Sequence, residues 1–175
     1  MKKNLSTLLS KACIVGAGGK MGSGIALVLL TALTEEAFLA KKGNMFQLLF
    51  IDPSSEALER LKSYLVVQVQ KYAVKRNYDP DAFLKVALDS VSFKTDLLEA
   101  KGATVVFEAI FEDLDLKKSV FQKLKDIVDP EAIFLTNTSS IPIVAMEKGT
   151  GLRGRLIGFH FYNPPAVQKL VEIIP

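Results

Sequence analysis

The sequence ACIVGAGGKMGSGIA occupies residues 12–26 and joins a strand pattern to a glycine-rich turn and the start of a helix. Four apolar residues come first, and Gly16, Gly18, Gly19 and Gly22 then lie between this strand and the predicted helix. Glycine permits a tight turn and a close approach of the backbone, and the helix start presents free N–H groups to an anion. The pattern therefore predicts a turn that holds the pyrophosphate of a dinucleotide.

An acidic residue at the end of the second apolar strand supports this interpretation. FQLLFID ends at Asp52, whose carboxylate would accept hydrogen bonds from the adenosine ribose and repel a 2′-phosphate, which favours NAD over NADP. Asp52 could instead be a solvated strand end or the N-cap of the helix after Pro53. Three residues separate Gly18 from Gly22, where the usual fingerprint has two. Asp52 also lies 30 positions after Gly22, where about 20 are expected. A long first helix, from Gly22 to about residue 42 with a stop at 43–44, accounts for the late acid.

Short apolar runs alternate with amphipathic stretches along the rest of the chain. The helix that starts at residue 53 is predicted to bury Leu58, Leu61, Leu65 and Val69. The helix after Asp113 is predicted to bury a second stripe, Leu116, Val120, Leu124 and Ile127. Strands that are apolar on both faces and separated by helices are typical of parallel sheets. We therefore expect one doubly wound α/β domain of the Rossmann type over residues 1–175, with a mainly parallel sheet.

The composition excludes several other classes of protein. The chain has 175 residues, 49% hydrophobic and 23% charged, with a net charge of +3, which indicates a globular domain. The sequence has no cluster of basic residues that would indicate a nucleic-acid partner. The apolar run 25–33 is too short to span a membrane. The one cysteine, Cys13, excludes an internal disulfide and a cysteine-based metal cluster. We expect no metal site, buried packing for Cys13 and a cytoplasmic location.

Three further segments carry a resemblance to a known family. They are FEAIFEDLDLKK from residue 107, LTNTSSIP from 135 and GFHFYNPPAVQKLVEII from 158. Together with MGSGIA from residue 21, they closely resemble the NAD-binding domain of L-3-hydroxyacyl-CoA dehydrogenases. The resemblance implies oxidation of the 3-hydroxyl group of a fatty acyl-CoA to a ketone, with NAD as the cofactor.

The same resemblance implies a role for particular residues. His160 corresponds to the general base, Glu172 to its paired carboxylate and Ser139 to the serine that binds the reacting oxygen of the substrate. Lys75 corresponds to a lysine that touches a CoA phosphate. The implied cofactor-binding residues are Gly16, Gly18, Gly19, Met21, Gly22, Asp52, Ala109, Glu112, Lys117 and Asn137.

The chemistry of alcohol oxidation favours the histidine and carboxylate pair independently. A base must take the hydroxyl proton, neutral histidine suits that role near neutral pH, and a carboxylate stabilises the imidazolium that forms. Each residue also has a plainer interpretation. His160 could be a hydrogen-bonded core residue, Glu172 a solvent-facing strand position, and Ser139 with Ser140 a helix cap. Glu112 and Lys117 could be an ordinary surface pair.

The resemblance also implies partners. Members of this family carry a second, mostly helical domain that completes the acyl-CoA cleft and forms a homodimer. We expect that domain to be missing from these 175 residues, so that they bind NAD(H) but turn over acyl-CoA poorly. Two alternatives stay open: a non-catalytic dinucleotide-binding module, and another β-hydroxyacid dehydrogenase in which a lysine is the key catalytic group.

Overall fold

The computed structural model describes residues 8–41, 45–168 and 170–175. The strands are β1 (Lys11–Val15), β2 (Gln47–Ile51), β3 (Val91–Lys94), β4 (Val105–Glu108), β5 (Ile133–Thr136), β6 (Leu156–Phe161) and β7 (Val171–Ile174). The helices are α1 (Lys20–Leu39), α2 (Ser55–Lys75), α3 (Pro80–Asp89), α4 (Leu114–Leu124) and α5 (Ile143–Glu147), with a 3₁₀ turn at Leu97–Ala100.

These strands form one sheet in the order β3-β2-β1-β4-β5-β6-β7. All neighbours are parallel except β7, which runs antiparallel to β6. The chain therefore has the predicted doubly wound, mainly parallel sheet. β1 lies between β2 and β4, and a sheet that is wound outward in both directions from its centre opens a crevice at the carboxyl ends of those strands.

Both faces of the sheet are covered, which explains why its strands are apolar throughout. Successive side chains of a strand point to opposite faces. Ala12 and Ile14 pack with α1, α2 and α3, whereas Cys13 and Val15 pack with α4 and α5. Cys13 is fully buried, and that burial raises the pKa of its thiol to about 12, so packing is its role as predicted.

Helix α1 is the long first helix that the sequence predicts, shifted by two or three residues. It runs from Lys20 to Leu39. Lys41 takes a left-handed φ of 52°, a conformation that ends a right-handed helix; the stop predicted at 43–44 lies outside the described residues. Among the described helices it alone has the length and hydropathy to cross a membrane, but 56% of its most apolar window is buried within the domain. Its hydropathy is that of a core helix.

The stripe predicted for α2 is correct, and the stripe predicted for α4 is correct only at Leu124. Leu58, Leu61, Leu65 and Val69 are all buried. In α4 the buried side chains are Lys117, Phe121 and Leu124. Of the predicted stripe only Leu124 lies in the core, because its other members line an open cavity beside the crevice. Leu116, for example, is 42% exposed.

Candidate active site

The glycine turn lies at the carboxyl end of β1, where the crevice opens. Gly16 has a φ of +80°, which a residue with a side chain rarely adopts. A Cβ atom added to Gly22 would lie 2.0 Å from the carbonyl oxygen of Gly16. Glycine at both positions therefore allows α1 to start directly against the turn, although this loop has one residue more than the usual fingerprint.

Asp52 is fixed beside this turn by two backbone groups. Its Oδ2 accepts a hydrogen bond from the Gly18 N–H, and its Oδ1 accepts one from the Ser54 N–H, both at 3.0 Å. The N-cap of α2 is Ser54, whose hydroxyl accepts from the Ala57 N–H at 3.1 Å, so the capping interpretation of Asp52 is wrong. The carboxylate is instead oriented at the carboxyl end of β2, next to the glycines.

A large open cavity extends from the glycine turn across the crevice. Its volume is about 830 Å³, and it is lined by Gly16, Gly19, Met21, Asp52, Ala109 and the apolar face of α4. Leu116, Val120 and Ile127 of the predicted stripe form one wall. An apolar wall facing a carboxylate and a glycine turn suits a flat aromatic base with an attached ribose and phosphates.

A buried ion pair lies behind the second part of the crevice. Lys117 is 1% exposed and Glu108 is 0% exposed, and the Lys117 Nζ lies 2.6 Å from the Glu108 Oε1. Glu108 also accepts hydrogen bonds from the Thr136 hydroxyl at 2.6 Å and the Ile110 N–H at 2.8 Å. Lys117 therefore belongs to an internal network, and its interpretation as a surface residue is wrong.

Glu112 connects this network to the segment after β5. Its Oε2 lies 3.3 Å from the Lys117 Nζ. Its Oε1 accepts hydrogen bonds from the Thr138 hydroxyl, from the Ser139 N–H at 3.1 Å and from the Ser140 hydroxyl at 3.1 Å. Partial burial raises the pKa of Glu112. The Thr138 hydrogen bond and the charge of Lys117 lower it by more, so the pKa lies below its usual value. The carboxylate therefore anchors the segment 138–140.

Neither Ser139 nor Ser140 caps α5, and the neighbouring Thr138 instead holds the turn before the helix. α5 starts after Pro142 without a side-chain cap of its own. The Thr138 hydroxyl accepts from the Ile141 N–H at 3.0 Å and from the Ser140 N–H at 3.4 Å. Ser139 is exposed, and it lines a second, smaller cavity.

This smaller cavity has a volume of about 340 Å³ and meets the larger one at Met21, Ala109 and Ile110, which line both. Asn137 lies in its wall, where its Oδ1 accepts a hydrogen bond from the Phe161 N–H at 2.9 Å and ties the end of β5 to the end of β6. The other lining residues are Glu112, Lys117, Ser139, His160, Phe161, Tyr162 and Asn163.

His160 and Glu172 meet at the mouth of the smaller cavity. They are directly paired between the antiparallel strands β6 and β7, and the His160 Nδ1 lies 2.9 Å from the Glu172 Oε2. His160 is 20% exposed and Glu172 is 49% exposed, so the histidine is not a core residue. The hydrogen bond from His160, followed by one from Tyr162, lowers the pKa of Glu172. The predicted contact is present, and on the other side of the ring Nε2 has no hydrogen-bond partner within the part of the chain that the structure describes.

The structure brings most of the predicted site residues together around the two joined cavities. Lys75 is the exception. It is the last residue of the 21-residue helix α2, whose first residue lies near Asp52, and a helix of this length is about 30 Å long. Its contact with CoA stays a prediction. Within the described ranges, no group of three or more His, Cys, Asp or Glu side chains is placed to hold a metal ion.

Sequence reasoning missed three residues of this site: Glu108, Thr138 and Tyr162. Glu108 had a visible signal, since it is an acidic residue within an otherwise apolar strand and must therefore have a partner. Thr138 and Tyr162 had none, because their contacts depend on how separate strands end.

Comparison with known proteins assigns the chain to a family. The sequence model described as "3-hydroxyacyl-CoA dehydrogenase, NAD binding domain" matches residues 11–175. The chain belongs to the 3-hydroxyacyl-CoA dehydrogenase family. It is 35% identical over 161 residues to a probable 3-hydroxybutyryl-CoA dehydrogenase of Deinococcus radiodurans, which covers 92% of this chain and 52% of that protein.

Two further relatives give the same picture. A probable 3-hydroxybutyryl-CoA dehydrogenase of Bacillus subtilis is 36% identical over 166 residues, covering 94% of this chain and 53% of that protein. The crystal structure of 3-hydroxybutyryl-CoA dehydrogenase from Escherichia coli K12 superposes with a TM-score of 0.80 at 30% identity, covering 95% of this chain and 32% of the other. The chain thus spans about half the length of the curated relatives that it matches.

The cofactor of this family domain is NAD, and the residues of the site fit it. A Cβ atom at Gly18 would lie 2.6 Å from the Ala57 Cβ and 3.0 Å from the Asp52 Oδ2, so the turn has no room for a side chain there. Gly16 and Gly19 line the larger cavity, where the turn can meet a pyrophosphate, and Asp52 is oriented beside them for a ribose.

Proposed function

We propose that this chain provides the NAD-binding half of an NAD-dependent 3-hydroxyacyl-CoA dehydrogenase. The contact between His160 and Glu172, at a cavity that joins the dinucleotide crevice, carries the proposal. The chain's membership in the 3-hydroxyacyl-CoA dehydrogenase family supports the substrate class.

In this proposal His160 is the general base for the 3-hydroxyl group of the substrate. The Nδ1–H group donates to Glu172, so Nε2 carries the lone pair that takes the hydroxyl proton. As the imidazolium forms, the adjacent Glu172 carboxylate stabilises its charge. The exposed Ser139 hydroxyl donates a hydrogen bond to the reacting oxygen. Bound NAD supplies the acceptor for the hydride that leaves the carbon carrying the 3-hydroxyl group, which completes the oxidation to a ketone.

We assign Asn137, Glu112 and Lys117 to the wall that orients the reacting end of the cofactor. Their side chains line the smaller cavity, and each is fixed by at least one hydrogen bond or ion pair. This arrangement also favours histidine over lysine as the base. The Lys117 ammonium lies between Glu108 and Glu112, whereas the His160 Nε2 has no such partner among the described residues.

We further propose that turnover requires a second domain, since the chain spans only about half of its relatives. The isolated 175 residues are expected to bind NADH but to oxidise 3-hydroxyacyl-CoA slowly. Joining the chain to the other half of a relative is expected to restore turnover, measured as NADH formation. Full activity of the isolated chain would contradict the requirement for a second domain. A joined protein that binds NADH and remains inactive on 3-hydroxyacyl-CoA would contradict the proposed activity.

The orientation of Asp52 predicts a preference for NADH over NADPH. The 2′-phosphate of NADPH would add about two negative charges close to the carboxylate. We therefore expect NADH to bind at least about tenfold more tightly than NADPH. Asp52→Asn keeps the shape of the side chain and one acceptor oxygen but removes the charge. The ratio of the NADH affinity to the NADPH affinity should therefore be smaller in this variant. Fluorescence titration of both nucleotides measures the effect.

The matched control is Asp81→Asn, on the outer helix α3, which should leave the ratio between the two affinities unchanged. Tighter binding of NADPH by the unaltered chain, or a ratio that is the same in Asp52→Asn, would show that Asp52 does not select the cofactor.

A further inference from the structure

A glycine of α1 that the dinucleotide turn does not use packs directly against a proline. A Cβ atom added to Gly24 would lie 2.7 Å from the Pro165 Cδ, 2.8 Å from its Cγ and 3.1 Å from its Cβ. Gly24 and Pro165 are both buried. Carbon atoms of two residues in contact are normally about 3.5–4.0 Å apart, so Pro165 occupies the space that a side chain at position 24 would need.

Pro165 lies in the connector, by which we mean residues 162–168, which lead from the end of β6 toward β7. The connector closes in a turn, in which the Val167 N–H and the Gln168 N–H both donate to the Pro164 carbonyl oxygen, at 3.0 and 2.9 Å. Among residues 162–168, Pro165 alone is buried, and the residues on either side of it are exposed. Pro165 is therefore the residue that holds the connector against the helix.

This contact joins the cofactor side of the site to the segment that carries the base. Gly24 lies three residues after Met21 on α1, and residues three apart are neighbours on a helix surface. Met21 lines both cavities, and His160 and Asn163 line the smaller one just before the chain reaches Pro165. The distance between α1 and the segment of the base is therefore set where Pro165 meets Gly24.

The sheet fixes His160 in other directions. His160 lies opposite Glu172 on β7, and the neighbouring Phe161 N–H donates to the Asn137 Oδ1 at 2.9 Å, beyond the end of β5. Both contacts run between neighbouring strands. They hold the end of β6 within the sheet and do not set its distance from the helix.

We propose that Gly24 is a positioning residue for the base: because it has no side chain, Pro165 packs directly on α1, and this holds His160 at the distance from the dinucleotide that the reaction requires. Gly24 lines neither of the two cavities, so it acts through the connector and not through cofactor or substrate. The inference rests on the proposed function, because it concerns the same base.

Gly24→Ala tests the inference, because it adds one methyl group at this contact. Since α1 is a core helix and the connector is exposed, the connector should move, by about 1 Å. In the chain alone, the NMR signals of the His160 imidazole protons should shift. In the protein joined to a second domain, kcat should fall about 10- to 100-fold, the effect of a misplacement of about 1 Å. The Kd of NADH should stay unchanged, because neither Gly24 nor Pro165 lines the larger cavity.

Pro165→Ala provides the compensating change. It removes the Cγ and Cδ atoms that would crowd the added methyl group, and it leaves only the Cβ atom, at 3.1 Å. The double variant Gly24→Ala with Pro165→Ala should therefore recover most of the kcat and the His160 signals of the unaltered protein. Ser23→Ala is the matched control on α1, since it also raises helix propensity but adds no atom, and it should change none of these values.

Unmoved His160 signals in Gly24→Ala would overturn the inference, and so would a double variant whose losses are the sum of the two single losses. If Gly24→Ala does not fold, the double variant decides: a folded double variant with the original His160 signals supports the inference, and one that also fails to fold contradicts it. The NMR measurement needs no substrate and no second domain, so it is independent of the proposed activity. If His160→Gln retains activity, the proposed function fails; if only the His160 signals are unmoved in Gly24→Ala, the inference about Gly24 alone fails.

Discussion

Replacing His160 by glutamine is expected to lower kcat by about 10²- to 10⁴-fold, the usual contribution of a general base. Glutamine is similar in size and polar, but it cannot take the hydroxyl proton. The Kd of NADH should change less than twofold, because His160 lines the smaller cavity and not the glycine turn. The measurement compares steady-state NADH formation with NADH titration in the protein joined to a second domain.

Glu172→Gln is the informative companion variant. It keeps an acceptor for the Nδ1–H group of His160 and removes the negative charge, so its kcat should fall less than that of His160→Gln. If His160→Gln keeps nearly full activity, the base is another group, and the lysine chemistry of a different β-hydroxyacid dehydrogenase becomes the better interpretation.

Replacing Lys117 by methionine is expected to lower the free energy of unfolding by about 3–5 kcal/mol. Methionine nearly fills the space of the lysine stem, so the loss arises from the Glu108 carboxylate, which stays 0% exposed without its cation. Thr136 and the Ile110 N–H still donate to it, but they carry no charge. Urea unfolding followed by circular dichroism measures the change.

An exposed pair provides the control for this variant. The Lys85 Nζ and the Asp89 Oδ2 are also 2.6 Å apart, at the surface of α3, and Lys85→Met should change the free energy of unfolding by less than about 0.5 kcal/mol. The double variant Lys117→Met with Glu108→Gln should be more stable than Lys117→Met alone, because no buried charge is left unpaired. A loss below about 1 kcal/mol for Lys117→Met would show that the pair is not energetically coupled.

The sheet could be predicted from the sequence because its determinants are local. An apolar run, a glycine turn and a helix pattern each occupy consecutive residues, so the sequence alone predicts the turn at Gly16 after β1 and the acidic residue Asp52 after β2. The pairing of His160 with Glu172 was also accessible. Two strands joined through a segment that contains Asn-Pro-Pro can bring residues twelve positions apart opposite each other.

The contacts behind the site could not be predicted in this way. The apolar stripe of α4 is real, but periodicity does not distinguish a face that packs in a core from one that lines a cavity, as the stripe does at Leu116. The sequence does not show that Lys117 is buried, because its partner Glu108 belongs to another element. Glu112 and Thr138 are 26 positions apart and meet only where β4 and β5 end side by side.

In the proposed mechanism, the base lies beside the reacting end of a dinucleotide that is held at the glycine turn. His160 is the one histidine of the chain, so its imidazole protons give NMR signals that no other histidine overlaps. In the complex of this chain with NADH, we predict a nuclear Overhauser effect between those protons and the nicotinamide ring. Saturated binding of NADH without any such effect at His160 would contradict this placement of the base.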